Sequence, residues 1–350
     1  MNSQPMKDYF RLLAQGHNDG ILSHVLSPVL DVAGNIYGGT VRMMRSLYEK
    51  KIFPRTRLPF PVVSIGNLTW GGTGKTPLVE YLARKVGEHH RTALILTRGY
   101  GQDEVEQMRH HLPRTVIGAG TDRTRVALDL AKQHRIDIAL LDDGLQHWAV
   151  ERDAEIITVN ALNPFGNGKL IPRGILREPL SVLKKATVLV ITHSNLVRPA
   201  ELDELRKTIQ KTAPAVQMVE SYLEPLFFYR AEKRSRVALQ RLENQRVTTF
   251  SGVGCPRSFQ LLLAHSGIKP IRNFEFGDHH RFTTGELLEI KRVSDSASAD
   301  EIITTEKDFY RAPREITSAL NPLVLATRLR IQSGEQILTD HLFRLLGVIR

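Results

Sequence analysis

The chain has 350 residues, 41% hydrophobic and 24% charged, the balance of a soluble globular protein with room for two domains of ordinary size. Its single cysteine, Cys255, excludes an intramolecular disulfide and a cysteine-based zinc site, and reads as a small packing residue in a reducing compartment. With 48 Lys and Arg against 37 Asp and Glu the net charge is +11, so anionic partners are expected: nucleotide, an acidic membrane surface or nucleic acid, the last disfavoured because the basic residues are dispersed and no zinc-finger or RNA-binding signature occurs.

In chain order, residues 1–20 contain Asp8 and Asp19 and no cleavable apolar segment, which is not a secretory pattern. From Ile21 to Val41 the only formal charge is Asp31, and Arg42, Arg45, Lys50, Lys51, Arg55 and Arg57 follow. No run of about eighteen uncharged apolar residues appears, so a membrane span is not expected. An apolar helical segment over residues 1–50, flanked by cations, suits the interface of an anionic bilayer, each basic residue contributing roughly 1 kcal/mol near the surface. A helix packed on its own domain fits the same pattern.

Residues 61–77 carry an apolar run into a glycine-rich turn ending in Gly74-Lys75-Thr76. Glycines let backbone N–H groups turn toward phosphate oxygens, a lysine there reaches the β- and γ-phosphates, and the following hydroxyl serves Mg²⁺ at the start of a helix. Thr69, Gly71, Gly72, Thr73, Gly74, Lys75 and Thr76 are therefore the expected ATP-binding residues. Thr69 stands where the standard pattern has glycine, so the loop is a variant.

A helix is expected over 75–86, a strand over 93–97, a helix near 103–111, a strand over 115–117 and a helix over 122–134. The run 136–141 then stops at Asp142-Asp143-Gly144, as a buried parallel strand does at its carboxyl end. Ligands bind at those ends in open α/β sheets, so Asp142 and Asp143 are expected to share a Mg²⁺ with Thr76. Asp-Asp-Gly alone also reads as a turn.

Strands over 155–159 and 187–192 complete a mostly parallel sheet with helices on both faces, assigned to residues 51–220. Between them lies the loop 160–179, and loops of that length in compact domains are often functional. Arg177 and Glu178 in it suit a polar or phosphorylated substrate, or a surface ion pair. Residues 223–240 read as an extended ribbon, and strands at 247–251, 301–305 and 323–328 give a smaller α/β lobe within 221–350.

Several strings resemble those of the tetraacyldisaccharide 4′-kinases of lipid A biosynthesis. They are Gly66-Asn67-Leu68-Thr69-Trp70-Gly71-Gly72-Thr73-Gly74-Lys75-Thr76-Pro77, Thr97-Arg98-Gly99-Tyr100-Gly101, Asp142-Asp143-Gly144-Leu145-Gln146-His147, Phe165-Gly166-Asn167-Gly168, Leu176-Arg177-Glu178-Pro179, Phe250-Ser251-Gly252-Val253-Gly254, Asp278-His279-His280 and Thr305-Glu306-Lys307-Asp308. They run in family order across nearly the whole chain, and the family uses the same Thr69 variant loop. The resemblance implies a P-loop fold and transfer of the ATP γ-phosphate, with Mg²⁺, to the 4′-hydroxyl of a tetraacyldisaccharide 1-phosphate, giving lipid IVA. It also implies work at the cytoplasmic face of a bacterial inner membrane.

By the same resemblance the general base is Asp103, paired with His279, with His280 as the alternative ring. Arg123, Gln146, His147, Asn167, Arg177 and Glu178 fall on the substrate side. Typical members carry the aspartate in a Gly-Asp-Glu-Pro string well after Arg-Gly-Tyr, whereas Gln102-Asp103-Glu104-Val105 follows Gly101 directly here, leaving Asp122 as a competing carboxylate. This compact form is similar to plant organellar relatives, which makes a mitochondrial inner membrane the alternative setting. A partitioning-type P-loop ATPase shares the glycine loop, but has lysine where this chain has Trp70. A non-catalytic nucleotide-binding scaffold would give no reason for Asp103, Asp142 and His279 to accompany that loop.

Overall fold

The computed structural model describes residues 21–99 and 102–349; residues 1–20, Tyr100, Gly101 and Arg350 lie outside the described residues. Helix α1, Ile21–Glu49, precedes strand β1, Val62–Asn67. Next come α2 (Lys75–Glu88), β2 (Ala93–Thr97), α3 (Gln102–His111), β3 (Val116–Ala119), α4 (Arg123–Ala131), β4 (Ile138–Asp142), β5 (Ala154–Asn160), β6 (Val188–Thr192) and α5 (Pro199–Thr212). The rest of the chain gives β7 (Gln217–Arg230), β8 (Arg236–Val237), β9 (Val247–Ser251), α6 (Pro256–His265), β10 (Arg272–Glu275), α7 (Thr284–Ser296), β11 (Glu301–Thr305), α8 (Glu306–Arg311), α9 (Pro313–Ala319), β12 (Leu323–Ser333) and α10 (Glu335–Leu345).

Among the described residues the strands form one 12-stranded sheet in the order β10-β9-β11-β12-β7-β6-β5-β1-β4-β2-β3, with β8 on β7. Only the β7–β12 and β7–β8 pairs are antiparallel. Successive strand residues point to opposite faces, so each buried strand feeds two cores. Ile138 and Leu140 of β4 pack under α2 and α10, and Ala139 and Leu141 pack on the α4 side. Leu189 and Ile191 of β6 meet α5. The second half repeats the plan, with α6 against Phe228, Ile303 and Leu325, and with α7, α8 and α9 against Phe250 and Val324.

Three expectations shift. Asp122 does not enter α4 but caps it, accepting from Arg125 N at 3.0 Å, the usual service of an aspartate at that position. The ribbon starts earlier, at Gln217, and its long partner is β12 rather than its own return. That return, β8, is only two residues long because the polar turn before it leaves nothing apolar to pair. β12 also runs past Arg328 to Ser333, following β7 along its length.

Helix α1 is held by one face. A Cβ on Gly34 would lie 3.2 Å from Leu170 O and one on Gly38 2.4 Å from Leu170 Cδ1, so small residues let the helix touch the 160–179 loop. Tyr37 and Arg45 share that face, as the contacts below show. The opposite face carries Val29, Val32, Ile36 and Met43, all exposed, with Ile36 at 67%. Among the described residues no helix is long and apolar enough to cross a membrane.

Candidate active site

Strand β1, buried throughout, delivers the glycine loop to the carboxyl edge of the sheet. Gly71 (φ 113°) and Gly74 (φ 74°) adopt left-handed backbone that side chains resist. Thr69 does not; it is buried in extended backbone bridged to Leu176, which is why this variant needs no glycine there. The loop is braced from behind. Asn160 Nδ2 donates to Gly72 O (3.1 Å), Thr192 Oγ1 donates to Thr73 O (3.0 Å), and the Thr73 and Thr158 hydroxyls are 3.0 Å apart. Trp70 N donates to Ile175 O at 2.7 Å, tying the loop to the 160–179 segment.

The loop opens on a cleft of about 360 Å³. Lys75, Thr76, Glu104, Arg123, Asp142 and Asp143 line it from the first half of the chain, with Gly254, Asp278, His279 and Lys307 opposite. A larger hollow of about 620 Å³, near Tyr48, Phe53, Asp122 and Lys132, contains none of the phosphate-loop residues.

Lys75 Nζ donates to Asn67 Oδ1 (2.9 Å) and lies 3.6 Å from Asp143 Oδ1. Asp143 also accepts from Arg177 Nη1 at 2.8 Å. Burial works against its ionisation, but Lys75 and Arg177 outweigh it and hold the carboxyl at about 2. Asp142 is pushed the other way, to about 7, by burial and then by Glu104. Alternation along β4 puts it on the face of α2, and its Oδ1 is buried without a hydrogen-bond partner. An orphaned carboxylate oxygen in the same cleft as the Thr76 hydroxyl fits a hard cation. Among the described residues no group of three His, Cys, Asp or Glu could hold a metal alone, so such an ion would complete its shell with phosphate oxygens and water.

Five of the expected substrate residues gather beside Asp143. Arg177 Nε and Nη2 donate to Gln146 Oε1 (3.2 and 3.0 Å), and Gln146 Nε2 reaches Arg177 O (3.2 Å). Buried Glu178 pairs with Arg45 of α1 at 3.0 Å, and Tyr37 OH donates to Arg177 O at 3.1 Å. Arg123 Nη1 donates to Asp143 O (3.3 Å), and burial, as the leading cause, lowers its pKa. His147 lies half-buried, lowered to about 4 by burial and then by Arg123 and Arg152, so it is neutral. Asn167 stands apart, its amide spent on Arg173 O (2.9 Å) and Lys169 N (3.0 Å) in its own loop.

Asp103 and His279 are not brought together. Asp103 is buried, and its Oδ2 accepts from Arg311 Nε at 3.0 Å, while His279 Nε2 lies 3.9 Å from Asp278 Oδ2. Arg311 links the two regions, because its Nη1 donates to His280 O (3.0 Å) and Gly252 O (3.2 Å). His280 is engaged by Glu286 of α7 at 3.0 Å and stacked on Phe276, which leaves His279 as the ring on the cleft. The carboxylate of this segment that lines the cleft is Glu104, paired with Lys307 Nζ at 2.9 Å. Lys307 also lies 3.3 Å from Asp278; burial lowers its pKa, but Glu104 and Asp278 more than offset this and keep it a cation.

Asn67, Glu104, Lys307 and Arg311 thus belong to the site without having been singled out from the sequence. Asn67 and Lys307 sit inside strings that were noticed. Arg311 lies four residues beyond Lys307, one helical turn along the same face, which was the available signal.

The family model for tetraacyldisaccharide-1-P 4′-kinase matches residues 26–346. Among curated proteins, the chain is similar to the probable mitochondrial tetraacyldisaccharide 4′-kinase of Arabidopsis thaliana, at 35% identity over 90% of this chain and 89% of that protein. It is similar also to the tetraacyldisaccharide 4′-kinase of Halothermothrix orenii, at 32% identity over 89% of each. A solved structure of Aquifex aeolicus LpxK, described as an "apo" form in complex with ATP, matches with a TM-score of 0.69 at 25% identity, covering 93% of this chain and 100% of that one.

Proposed function

The chain belongs to the tetraacyldisaccharide-1-P 4′-kinase family, and from that premise we infer that it transfers the γ-phosphate of ATP to the 4′-hydroxyl of a tetraacyldisaccharide 1-phosphate, a step of lipid A biosynthesis. The observation that carries this for the chain itself is the glycine loop with Lys75 lining a cleft, joined through Asp143 to the Arg177–Gln146 cluster beside it. The first suits a nucleotide, and the second offers the bidentate donors that a sugar phosphate needs. A partitioning-type ATPase would have no use for the second.

In our reading the N–H groups of Gly71, Gly72, Thr73 and Gly74 cradle the phosphates. Lys75 exchanges Asn67 and Asp143 for the transferring group, whose developing charge it stabilises in place. Thr76 and Asp142, with Asp143 beside them, would hold Mg²⁺, which would supply positive charge to offset that of the phosphates. Asp103 takes the proton of the sugar hydroxyl once Arg311 releases it, and His279 orients it from the opposite wall. Arg123, Gln146, His147, Arg177 and Glu178 position the acceptor, and Asn167 supports them by shaping their loop.

We assign the membrane role to α1, residues 1–50 forming that segment, 51–220 the kinase lobe and 221–350 the second lobe. The exposed stripe Val29, Val32, Ile36 and Met43 meets the bilayer interface while Tyr37 and Arg45 hold the substrate loop, so one helix couples membrane contact to acceptor binding. The relatives are bacterial and plant mitochondrial, and the inner-membrane surface of either setting is anionic enough for the basic residues that follow.

The test is mass spectrometry of the product from lipid disaccharide 1-phosphate and ATP. A gain of one phosphate at the 4′ position is expected; ATP consumption unaffected by the lipid would refute the assignment.

A further inference from the structure

Glu306 and Thr327 form part of the nucleotide cleft and also part of a separate hollow of about 330 Å³ between the start of the chain's first lobe and the ribbon. Cations dominate this second hollow. Arg84 of α2 and His111 of α3 line it but are already engaged, Arg84 by Glu80 (3.0 Å) and His111 by Glu80 (2.9 Å) and Glu306 (3.2 Å). Arg234, Arg236 and Arg328 line it too, and among the described residues none of the three makes an ion pair.

Two of these arginines lie against aromatic rings. The Arg234 guanidinium lies 4.5 Å from the Phe309 ring centre and 4.9 Å from that of Tyr229, and Arg236 lies 4.4 Å from that of Phe227. Contact with aromatic rings orders a guanidinium, whose N–H groups suit a planar or tetrahedral oxyanion. Tyr229, 6% exposed, also lines the hollow, with the Arg234 guanidinium against its ring. On the rim, His110 is pushed below its ordinary value by burial and then by Arg234 and His111, as an uncompensated positive field would do.

We propose that this hollow is a binding site for a small phosphate-bearing anion, of the inorganic phosphate or phosphate monoester class. Three guanidinium groups that make no ion pair line one small volume, more N–H donors than a single carboxylate can satisfy, and a dianion matches their charge. None of the glycine-loop residues lines it, so it is not the nucleotide site. The inference does not rest on the phosphoryl-transfer chemistry proposed above.

The same chemistry is offered by a soluble phosphate monoester and by a lipid headgroup, and the experiment separates them. Full-length protein carrying Lys75→Met, to disable the phosphate loop, would be titrated calorimetrically with glycerol 3-phosphate and, separately, mixed with phosphatidate vesicles. Saturable binding of about one equivalent of the soluble probe is expected, weakened at least tenfold by Arg234→Gln with Arg236→Gln. Arg328→Gln, which disturbs no ring stack, should weaken it as well and guards against misfolding of the double variant. Binding to phosphatidate vesicles alone, lost in the same variants, would also support the site and assign it to a headgroup. No saturable binding of either probe, or equal binding by parent and variants, would overturn the proposal.

Discussion

His111 is a group whose loss should be felt strongly in stability. It joins three helices: its Nδ1 lies 2.9 Å from Glu80 of α2 and its Nε2 3.2 Å from Glu306 of α8, with the ring itself on α3. Burial lowers its pKa, but the two carboxylates outweigh burial and raise it to about 10, so the ring is an imidazolium at neutral pH. Against the ordinary value of 6.5, at about 1.4 kcal/mol per tenfold step, the charge contributes up to ~5 kcal/mol. A second route agrees, since removing one partner of a buried ion pair typically costs about 3–5 kcal/mol, and here Glu306, 8% exposed, would be left without its partner while Glu80 keeps only Arg84. We therefore expect His111→Asn to lose about 3–5 kcal/mol in urea unfolding at pH 6 to 7. Because the folded-state pKa is the higher one, the stabilisation is complete below the unfolded value and fades as pH rises through the folded value. The gap between parent and variant should accordingly shrink by pH 10.5. A gap that stays constant with pH, or one below about 1 kcal/mol, would show that the charge is not what holds these helices.

Lys75→Met and Asp142→Asn should each slow turnover by about 10²-fold or more with an unchanged circular dichroism spectrum; near-native turnover at saturating Mg²⁺-ATP in either would remove the nucleotide site from this cleft. Asp103→Asn is expected to cost about 10²–10⁴ in rate with nucleotide affinity kept. Asp122→Asn, which retains a capping side chain, should leave rate and stability nearly unchanged, and a larger effect there would move the base. His279→Ala should slow turnover, and its combination with Asp103→Asn should be little worse than Asp103→Asn alone; multiplicative losses in the pair would count against joint action. Replacing Val32 and Ile36 by Ser should weaken binding to anionic vesicles and raise KM for lipid more than for ATP. Equal vesicle binding would detach α1 from the membrane, and these exposed changes test it more cleanly than deleting the helix, which would strip Arg45 from buried Glu178.

What the sequence made legible was local. The apolar run ending at Asp142 announced a buried strand and its carboxyl end, because a continuous apolar run is a property of neighbours, whereas the face of its carboxylate came only from the packing of Ile138 and Leu140 under α2. The glycine loop was legible for the same reason. Asp103 was found by motif, but its partner was not, since Arg311 lies 208 residues further on and nothing in either segment encodes the meeting. The partner of β7 was hidden likewise: β8 follows at once in the chain, yet β12 wins because it offers a longer buried edge. The N-terminal segment was legible as apolar and helical. Which side faces outward depended on Gly34 and Gly38 meeting Leu170, a contact across the fold.

The pairing of β7 with β12 also bears on how the chain is made. Strands β1 to β6 find their parallel neighbours among themselves, so the first lobe can assemble as it leaves the ribosome. One side of β7 then waits for Leu323–Ser333, the last strand to be synthesised. At about 5–20 residues per second that delay is on the order of 5–20 s. Through it, Leu226, Phe227 and Phe228 sit on an unpaired strand edge, the arrangement most prone to wrong pairing between chains. Yield during overexpression should therefore depend on translation speed and on holdase chaperones acting in that interval, more than on the equilibrium stability of the finished protein.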